Sequence, residues 1–210
     1  MATFKGVVKA RIVDVRFATS GKIVSVKKFA GDSVKKGELL ASLDRKVLQT
    51  VLDRELADFE KVRADFEIFN QKNPDPTEAI DKYLKTEKQA TLNAAVKNVE
   101  LAKANLDQCD LFSPVEGTVM DDSSVVAGLN VTPASASFKI IDSSSYYVEV
   151  EIEEKEINNF SEPKDVKVKV LDKELTGKIS SILSGSKKLY VRVPISDDVL
   201  LLGLEATIYL

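Results

Sequence analysis

Gly31-Asp32-Ser33-Val34, ten residues after Gly21-Lys22-Ile23-Val24, completes a strand-forming phrase that occurs twice in this chain. The second copy reads Gly117-Thr118-Val119-Met120 and, eleven residues after its first glycine, Gly128-Leu129-Asn130-Val131. Glycines at turns with β-branched residues between them are typical of short strands. Two half-domains with the same spacing, separated by a long helical segment, predict one small β-sandwich that is split by an insertion.

The composition of the 210 residues excludes several classes of function. Hydrophobic residues make up 44% and charged residues 30% of the chain, which is typical of a folded protein and not of a disordered one. The net charge of -3 offers no field that would attract nucleic acid. The sequence has no histidine and a single cysteine, Cys109, which excludes histidine-based catalytic triads and an intramolecular disulfide. We therefore expect neither an enzyme nor a resident metal or cofactor.

Two helical segments lie between the copies of the phrase. From Arg45 to Lys72 the apolar residues follow steps of three and four, which predicts one helix that is capped by Asp44. They are Leu48, Leu52, Leu56, Phe59, Val62, Phe66 and Phe69. Towards Cys109 a coiled-coil rhythm predicts a second helix, whose seam includes Leu92, Val99 and Leu106.

The turn Asn73-Pro74-Asp75-Pro76 separates the two predicted helices. Neither proline suits a helix interior, whereas Asp75 could cap the second helix, with Pro76 in its first turn and Glu78 as a capping-box partner. Helices joined by so short a turn are expected to lie antiparallel. A hairpin that buries little core is expected to project and to bind a partner through its tip, although a purely stabilising arm is the alternative.

Short strands are predicted again after residue 143. Val148, Val150 and Ile152 alternate with Glu149, Glu151 and Glu153, and further β-rich runs follow to the end of the chain. Between them, Glu154 to Phe160 predicts one or two helical turns. Short strands at regular spacing favour a small closed barrel. The predicted division is therefore residues 10–44 with 112–142 for the sandwich, 45–111 for the hairpin and 143–210 for the barrel.

The order of these motifs resembles the membrane fusion proteins of the HlyD type, the adaptor subunits of bacterial export pumps. The residues that carry the resemblance are Gly31 to Asp44, Leu101 to Leu106, Ser113 to Val119, Tyr147 to Ile157 and Gly203 to Ile208. The resemblance implies a mainly β protein: a split biotinyl-lipoyl-like (barrel-sandwich hybrid) domain, an inserted antiparallel coiled-coil hairpin and a C-terminal small β-barrel.

The resemblance also implies partners and a location. An adaptor of this type binds an inner-membrane transporter, either ABC or proton-driven (RND), in the periplasm or at the outer face of the cytoplasmic membrane. It works as a homo-oligomer, in many members a hexamer. The membrane-proximal domain of many members has no counterpart here, and we expect the export signal or anchor to lie outside this sequence. The tip, Asn73 to Pro76, lacks the Arg-Leu-Ser pattern of RND adaptors, which disfavours an outer-membrane channel as partner.

Two other classes of function compete with this interpretation. Lipoyl and biotinyl carrier domains share the sandwich, and Asp44-Arg45-Lys46 is similar to their Asp-Lys motif, but Lys46 is predicted to open a helix and not to occupy an exposed hairpin turn. A surface scaffold that uses the hairpin on a partner other than a transporter is the second alternative. Two smaller candidates are Cys109, expected to be a buried seam residue, and Asp121-Asp122, expected to form a polar turn and not a cation site.

Overall fold

The fold is described from a computed structural model. It describes residues 3–75, 77–151, 165–171, 173–182, 188–192 and 202–209. Pro76 and the predicted helical turns between Glu154 and Phe160 lie outside these residues. The first part of the chain contains β1 Thr3–Lys9, β2 Ile12–Val15, β3 Gly21–Val26, β4 Ser33–Val34, β5 Leu39–Leu43, α1 Lys46–Lys72, α2 Ala79–Asp107 and β6 Asp110–Phe112. The later strands are β7 Gly117–Asp121, β8 Asn130–Val131, β9 Phe138–Asp142, β10 Tyr147–Glu151, β11 Asp165–Val170, β12 Lys173–Ile182, β13 Lys188–Arg192 and β14 Glu205–Tyr209.

The segments before and after the hairpin build one sandwich together. One sheet has the order β2-β9-β7-β4 and the other the order β6-β5-β3-β8, so each sheet takes two strands from each half of the chain. Their inner faces form a shared core in which Phe17, Ile23 and Leu40 pack with Phe138 and Ile140, all at most 2% exposed. The predicted split sandwich is confirmed, because neither half could bury these side chains without the other.

The helical insertion is an antiparallel hairpin. α1 and α2 contact each other along their length, and Val51 and Glu55 near the start of α1 share a groove with Ala102 and Asn105 near the end of α2. At 1.5 Å per residue, a helix of 27 residues is about 40 Å long. Within the described residues α1 has no fully buried side chain, so the hairpin projects from the sandwich and adds little to its core.

The barrel closes with a strand from the beginning of the chain. Its order is β1-β10-β13-β12-β11-β14, and β1 pairs with both β10 and β14. Along β11 buried valines alternate with exposed charged residues, and Val168 and Ile208 are fully buried in a second core, separate from that of the sandwich. The closed barrel predicted after residue 143 is therefore present. It also needs Thr3–Lys9, which lies outside the predicted barrel range of residues 143–210.

The helix starts differ from the prediction. α1 begins at Lys46 after Arg45, and the carboxylate of Asp44 accepts a hydrogen bond from the Lys46 N–H at 3.0 Å. α2 begins at Ala79, later than predicted, and the cap residue Glu78 makes no side-chain cap bond. Asp75 therefore does not cap α2, because the helix begins four residues after it.

Candidate functional surface on the helical hairpin

The predicted seam residues of α2 lie at partly or fully buried positions. Leu92 and Val99 are half-buried, and Leu106 is 4% exposed where α2 meets the sandwich. On α1, the predicted apolar face is half-buried except for Leu56, which is 40% exposed. Glu55 takes the inner position instead, since a run of 3.6-residue turns rotates Leu56 to the flank. The seam is thus continuous but shallow.

The half of the seam near the tip is polar on α2 and aromatic on α1. Lys85 and Lys88 are half-buried on α2, and they continue the spacing of Leu92 and Val99 towards the tip. α1 contributes half-buried phenylalanines over the same part of the hairpin, among them Phe66. Long lysine side chains can cover apolar surface with their methylene groups while the ammonium stays in water. The stretch from Lys85 to Thr91 is therefore a polar part of the seam, and α2 is unbroken through it.

The tip is short and exposed. Asn73 ends α1, and both its N–H and its side-chain amide donate to the Phe69 carbonyl oxygen at 2.9 and 3.2 Å. Pro74 and Asp75 are exposed, while Pro76 lies outside the described residues. One turn before the tip, the side-chain oxygen of Asn70 is buried and accepts no hydrogen bond from the described part of the chain.

Large apolar side chains are exposed close to the tip and close to the base. Near the tip Ile80 is 69% and Tyr83 76% exposed, and near the base Val47 is 76% and Leu101 62% exposed. An open groove of about 520 Å³ runs along α2 next to the tip. It is lined mainly by the aliphatic parts of polar and basic side chains, and the lining residues are Lys82, Lys85, Thr86, Gln89, Ala90 and Asn93. Exposed apolar residues on a rod that buries so little are candidates for protein contacts.

Two joints connect the sandwich to its neighbours, and ion pairs cross both. At the hairpin joint the Arg45 guanidinium lies 3.3 Å from the carboxylate of Asp110. At the barrel joint Arg11 pairs with Asp142, whose side chain is 3% exposed. Burial alone would raise the pKa of Asp142, but hydrogen bonds from Ser144 and Arg11 lower it below its usual value. The ion pair at the barrel joint therefore involves a buried carboxylate that is kept ionised by its hydrogen-bond donors.

The remaining candidate residues have structural partners. Asp121 accepts hydrogen bonds from the Ser123 N–H and from Lys139 at 2.8 and 2.9 Å, and the Lys139 partner lowers its pKa. Glu149 forms an ion pair with Lys9 at 2.9 Å. The carboxylates of Asp121 and Glu149 therefore have partners inside the chain. Glu153, which follows Glu149 and Glu151 in the predicted alternation, lies outside the described residues.

Lys46 and Cys109 lie at the base of the hairpin. Lys46 is exposed in the first turn of α1, where it is not at the tip of a β-turn as a carrier lysine would be. Cys109 is 1% exposed in the sandwich core, and burial raises the pKa of its thiol. Among the described residues no group of three or more acidic or cysteine side chains could hold a metal ion. The described helices also include none that is long and apolar enough to cross a bilayer.

A family comparison identifies the central part of the chain. The model of the CzcB-like, barrel-sandwich hybrid domain matches residues 11–142, which is more than half of the sequence. The chain therefore belongs to the family with this domain. The matched range spans both halves of the sandwich together with the hairpin. A comparison with curated protein sequences finds no match.

Solved structures share the whole fold at low sequence identity. The membrane fusion protein Spr0693 from Streptococcus pneumoniae R6 is 20% identical with a TM-score of 0.77, and the match covers 100% of this chain and 98% of that one. A MacA-MexA chimeric protein containing the Pseudomonas aeruginosa MexA α-hairpin domain is 23% identical with a TM-score of 0.79, over 99% and 80% of the two chains. The periplasmic adaptor protein EmrA is 17% identical with a TM-score of 0.52, and the match covers 98% of each chain. The resemblance to membrane fusion proteins is confirmed.

Proposed function

We propose that this chain is the adaptor, or membrane fusion, subunit of a bacterial export pump and links an inner-membrane transporter to the exit path. The observation that carries the proposal is the arrangement of the split sandwich. The hairpin projects from the sandwich at one joint, and the barrel is attached at the other. Such a chain can contact one partner through the hairpin and a second partner through the barrel. The fold shared with membrane fusion and periplasmic adaptor proteins supports this role, and it supports a location in the cell envelope, outside the cytoplasm.

The proposed mechanism is geometric and not chemical. Several copies, six as in many members of the resembled family, assemble side by side, and their hairpins form a tube for the exported substrate. The seam residues Leu92, Val99 and Leu106 keep each hairpin straight. The tip, Asn73, Pro74, Asp75 and Pro76, contacts the next component of the pump. In this proposal residues 45–111 form the hairpin domain, and the barrel domain consists of residues 143–210 together with β1.

The experiment that tests the proposal compares the intact chain with a variant that lacks the hairpin. Ser42 lies opposite Asp110 in the β5–β6 pair, and the Leu43 N–H donates to the Cys109 carbonyl oxygen at 2.8 Å. A short turn can therefore replace residues 45–107 without breaking the sandwich. Both chains, tagged, are expressed in the native host, crosslinked in membranes, and their partners are identified by mass spectrometry.

We expect the intact chain to capture an ABC or RND permease. The variant without the hairpin should keep the permease and lose any partner on the exit side. If neither chain captures a membrane transport protein while both are folded, the adaptor function is wrong. A permease captured without an exit-side partner would favour a cell with one membrane, as the missing Arg-Leu-Ser pattern suggests.

A further inference from the structure

An exposed phenylalanine lies on a turn of the sandwich that is fixed by hydrogen bonds. Phe29 is 50% exposed in the connection between β3 and β4. Its N–H donates to the carboxylate of Asp32 at 2.8 Å, and the N–H of Asp32 donates back to the Phe29 carbonyl oxygen at 3.0 Å. The next N–H, that of Ala30, donates to the carboxylate of Asp122 in the other half of the sandwich at 3.2 Å. The backbone therefore fixes the place from which the aromatic ring projects.

A second turn lies beside that of Phe29 and carries Lys35 and Lys36 after β4. The Lys28 ammonium lies 2.8 Å from the carboxylate of Glu38. The carboxylate of Glu38 also accepts a hydrogen bond from the Lys35 N–H at 2.7 Å. One lysine of the first turn and one carboxylate of the second therefore hold the two turns together.

The other three lysines of the two turns are available to a partner. Lys27, Lys35 and Lys36 are exposed, and none of them forms an ion pair with a side chain in the described part of the sequence. The two carboxylates of these turns, those of Asp32 and Glu38, are already engaged. Phe29 together with Lys27, Lys35 and Lys36 is named the lysine–phenylalanine patch.

The equivalent turn in the second half of the sandwich has no such patch. Phe29 lies two residues before Gly31, and Val126 lies two residues before Gly128, and both glycines have positive φ angles. Val126 is 57% exposed, but residues 121–138 contain no lysine. Since the fold uses the same turn twice, the backbone does not explain why only the first turn combines an aromatic ring with lysines.

We propose that the lysine–phenylalanine patch docks a protein of different sequence, whose surface presents an apolar pocket bordered by carboxylates. An exposed aromatic side chain on a preorganised turn is typical of the anchor of an interface, because little freedom is lost on binding. Ammonium groups beside the anchor favour a partner with carboxylates through charge complementarity. The fixed turn favours a protein pocket over a fluid lipid surface, which would accept the ring in any orientation.

The inference goes beyond the proposed function, because the patch lies in the sandwich and not on the hairpin tip or the barrel. Photocrosslinking in the full chain tests it. Phe29 is replaced by p-benzoylphenylalanine, the chain is expressed in its native host, and irradiated membranes are analysed on gels and by mass spectrometry. The matched control carries the same photoreactive residue in place of Val126. We expect at least about fivefold more adduct with another protein from residue 29, and a crosslinked segment that contains several carboxylates.

The role of charge is tested in the same photoreactive chain. One variant removes the three lysines of the patch: Lys27→Gln, Lys35→Gln and Lys36→Gln. We expect its adduct to fall about fivefold, and crosslinking at about 0.5 M salt should weaken the adduct of the parent in the same way, because salt screens exposed charges. The control variant removes three exposed lysines of the hairpin and should keep the adduct: Lys46→Gln, Lys61→Gln and Lys103→Gln.

Four results would overturn the inference. The first is an equal amount of adduct from residues 29 and 126. The second is an adduct with lipid or with a second copy of this chain in place of another protein. The third is a crosslinked segment without carboxylates, and the fourth is an adduct that survives the loss of the three patch lysines. All substituted side chains are exposed, so the variants are expected to fold.

Discussion

Val34 lies directly opposite Gly117 in the β4–β7 pair, and its counterpart Val131 lies directly opposite Gly21 in the β3–β8 pair. The backbone repeats the relationship. The N–H of Gly31 donates to the Val119 carbonyl oxygen, and the N–H of Gly128 donates to the Ile23 carbonyl oxygen, both at 2.8 Å. The two copies of the strand phrase are thus related by an approximate twofold axis within one sandwich.

This symmetry gives the sandwich two equivalent exits. The hairpin leaves after β5 beside β6, where the Leu43 N–H donates to the Cys109 carbonyl oxygen at 2.8 Å. The barrel is joined after β9 beside β2, where the Asp142 N–H donates to the Arg11 carbonyl oxygen at 3.0 Å. The two halves make equivalent backbone hydrogen bonds where the hairpin and the barrel leave the sandwich. The symmetry of the sandwich therefore accounts for the separate positions of the hairpin and the barrel.

The substitution Gly117→Ala is expected to destabilise the sandwich strongly. A Cβ at this position would overlap the carbonyl oxygen of Ile141 and lie 2.9 Å from its carbonyl carbon. Since β7 and β9 are hydrogen-bonded neighbours, the backbone must move, which should lower the free energy of unfolding by about 2–3 kcal/mol. Calorimetric unfolding measures this difference.

Gly21→Ala is the matched control for Gly117→Ala, because the two glycines occupy equivalent positions. A Cβ at Gly21 would approach the side chain of Leu43, with its terminal carbon at 3.1 Å and its Cβ at 3.3 Å, and none of its three nearest atoms belongs to the backbone. We expect a loss below about 1 kcal/mol. Equal losses for the two variants would show that the close approach at Gly117 does not restrict the sandwich.

Gly31→Ala and Gly128→Ala are expected to lower the free energy of unfolding by the same amount. Both glycines have positive φ angles, +95° and +94°, and no heavy atom lies within 4 Å of the position of a new Cβ. The cost is therefore conformational and not steric, about 1 kcal/mol each. Urea denaturation monitored by near-ultraviolet circular dichroism provides the comparison. A difference above about 0.5 kcal/mol between the two variants would contradict the backbone equivalence of the two halves.

The sequence predicts the local elements of this fold well, because their signals are local. The apolar steps from Leu48 to Phe69 and from Leu92 to Cys109 specify two helices, and the prolines at the turn separate them. The repeated phrase predicts the split sandwich, since two similar half-domains share one pattern of turns. The order of these motifs also predicts the resemblance to membrane fusion proteins.

Long-range pairing and side-chain rotation are what the sequence does not reveal. Thr3–Lys9 joins the barrel through β10 and β14, which both lie far away in the C-terminal part of the chain, and no local feature distinguishes it from a sandwich strand. Leu56 satisfies a spacing rule, but the true seam passes through Glu55. α2 begins at Ala79 and not directly after Asp75, because a capping pattern in the sequence does not by itself fix where a turn ends.

Val99→Asp tests the importance of the hairpin seam. Val99 is half-buried between the helices, and a carboxylate there would lose its hydration, so we expect the hairpin to lose about 2 kcal/mol of stability. Helical circular dichroism should melt at a lower temperature, while the calorimetric transition of the sandwich and barrel stays in place. If the hairpin is the working part, export by the pump is abolished.

Asn98→Asp is the control for the seam variant. It introduces the same charge one residue earlier, at an exposed position on the flank of α2. Both export and helix melting should stay close to those of the unchanged chain. Normal export by Val99→Asp, or an equal loss with Asn98→Asp, would show that an intact seam is not what export requires.

Asp142→Asn is expected to weaken the barrel joint and to change its dependence on pH. Asp142 is buried beside Arg11 and Ser144, and their hydrogen bonds outweigh burial and lower its pKa. The ionised group therefore stabilises the protein above an ordinary Asp pKa of about 3.9, and the contribution is lost as the pH falls through the lower folded-state pKa. At neutral pH the replacement of this carboxylate by an amide next to Arg11 should lower the free energy of unfolding by about 1.5–3 kcal/mol.

Denaturation between pH 7 and pH 2 checks this prediction. The original chain should lose stability steeply in the acidic part of the range, and Asp142→Asn should lose less, so the two stabilities converge at low pH. Asp14→Asn is the control, because Asp14 also pairs with an arginine, Arg16, but is 40% exposed, so solvent screens the pair and its loss should change stability little. Parallel pH profiles for the original chain and Asp142→Asn would mean that the carboxylate does not hold the joint through its charge.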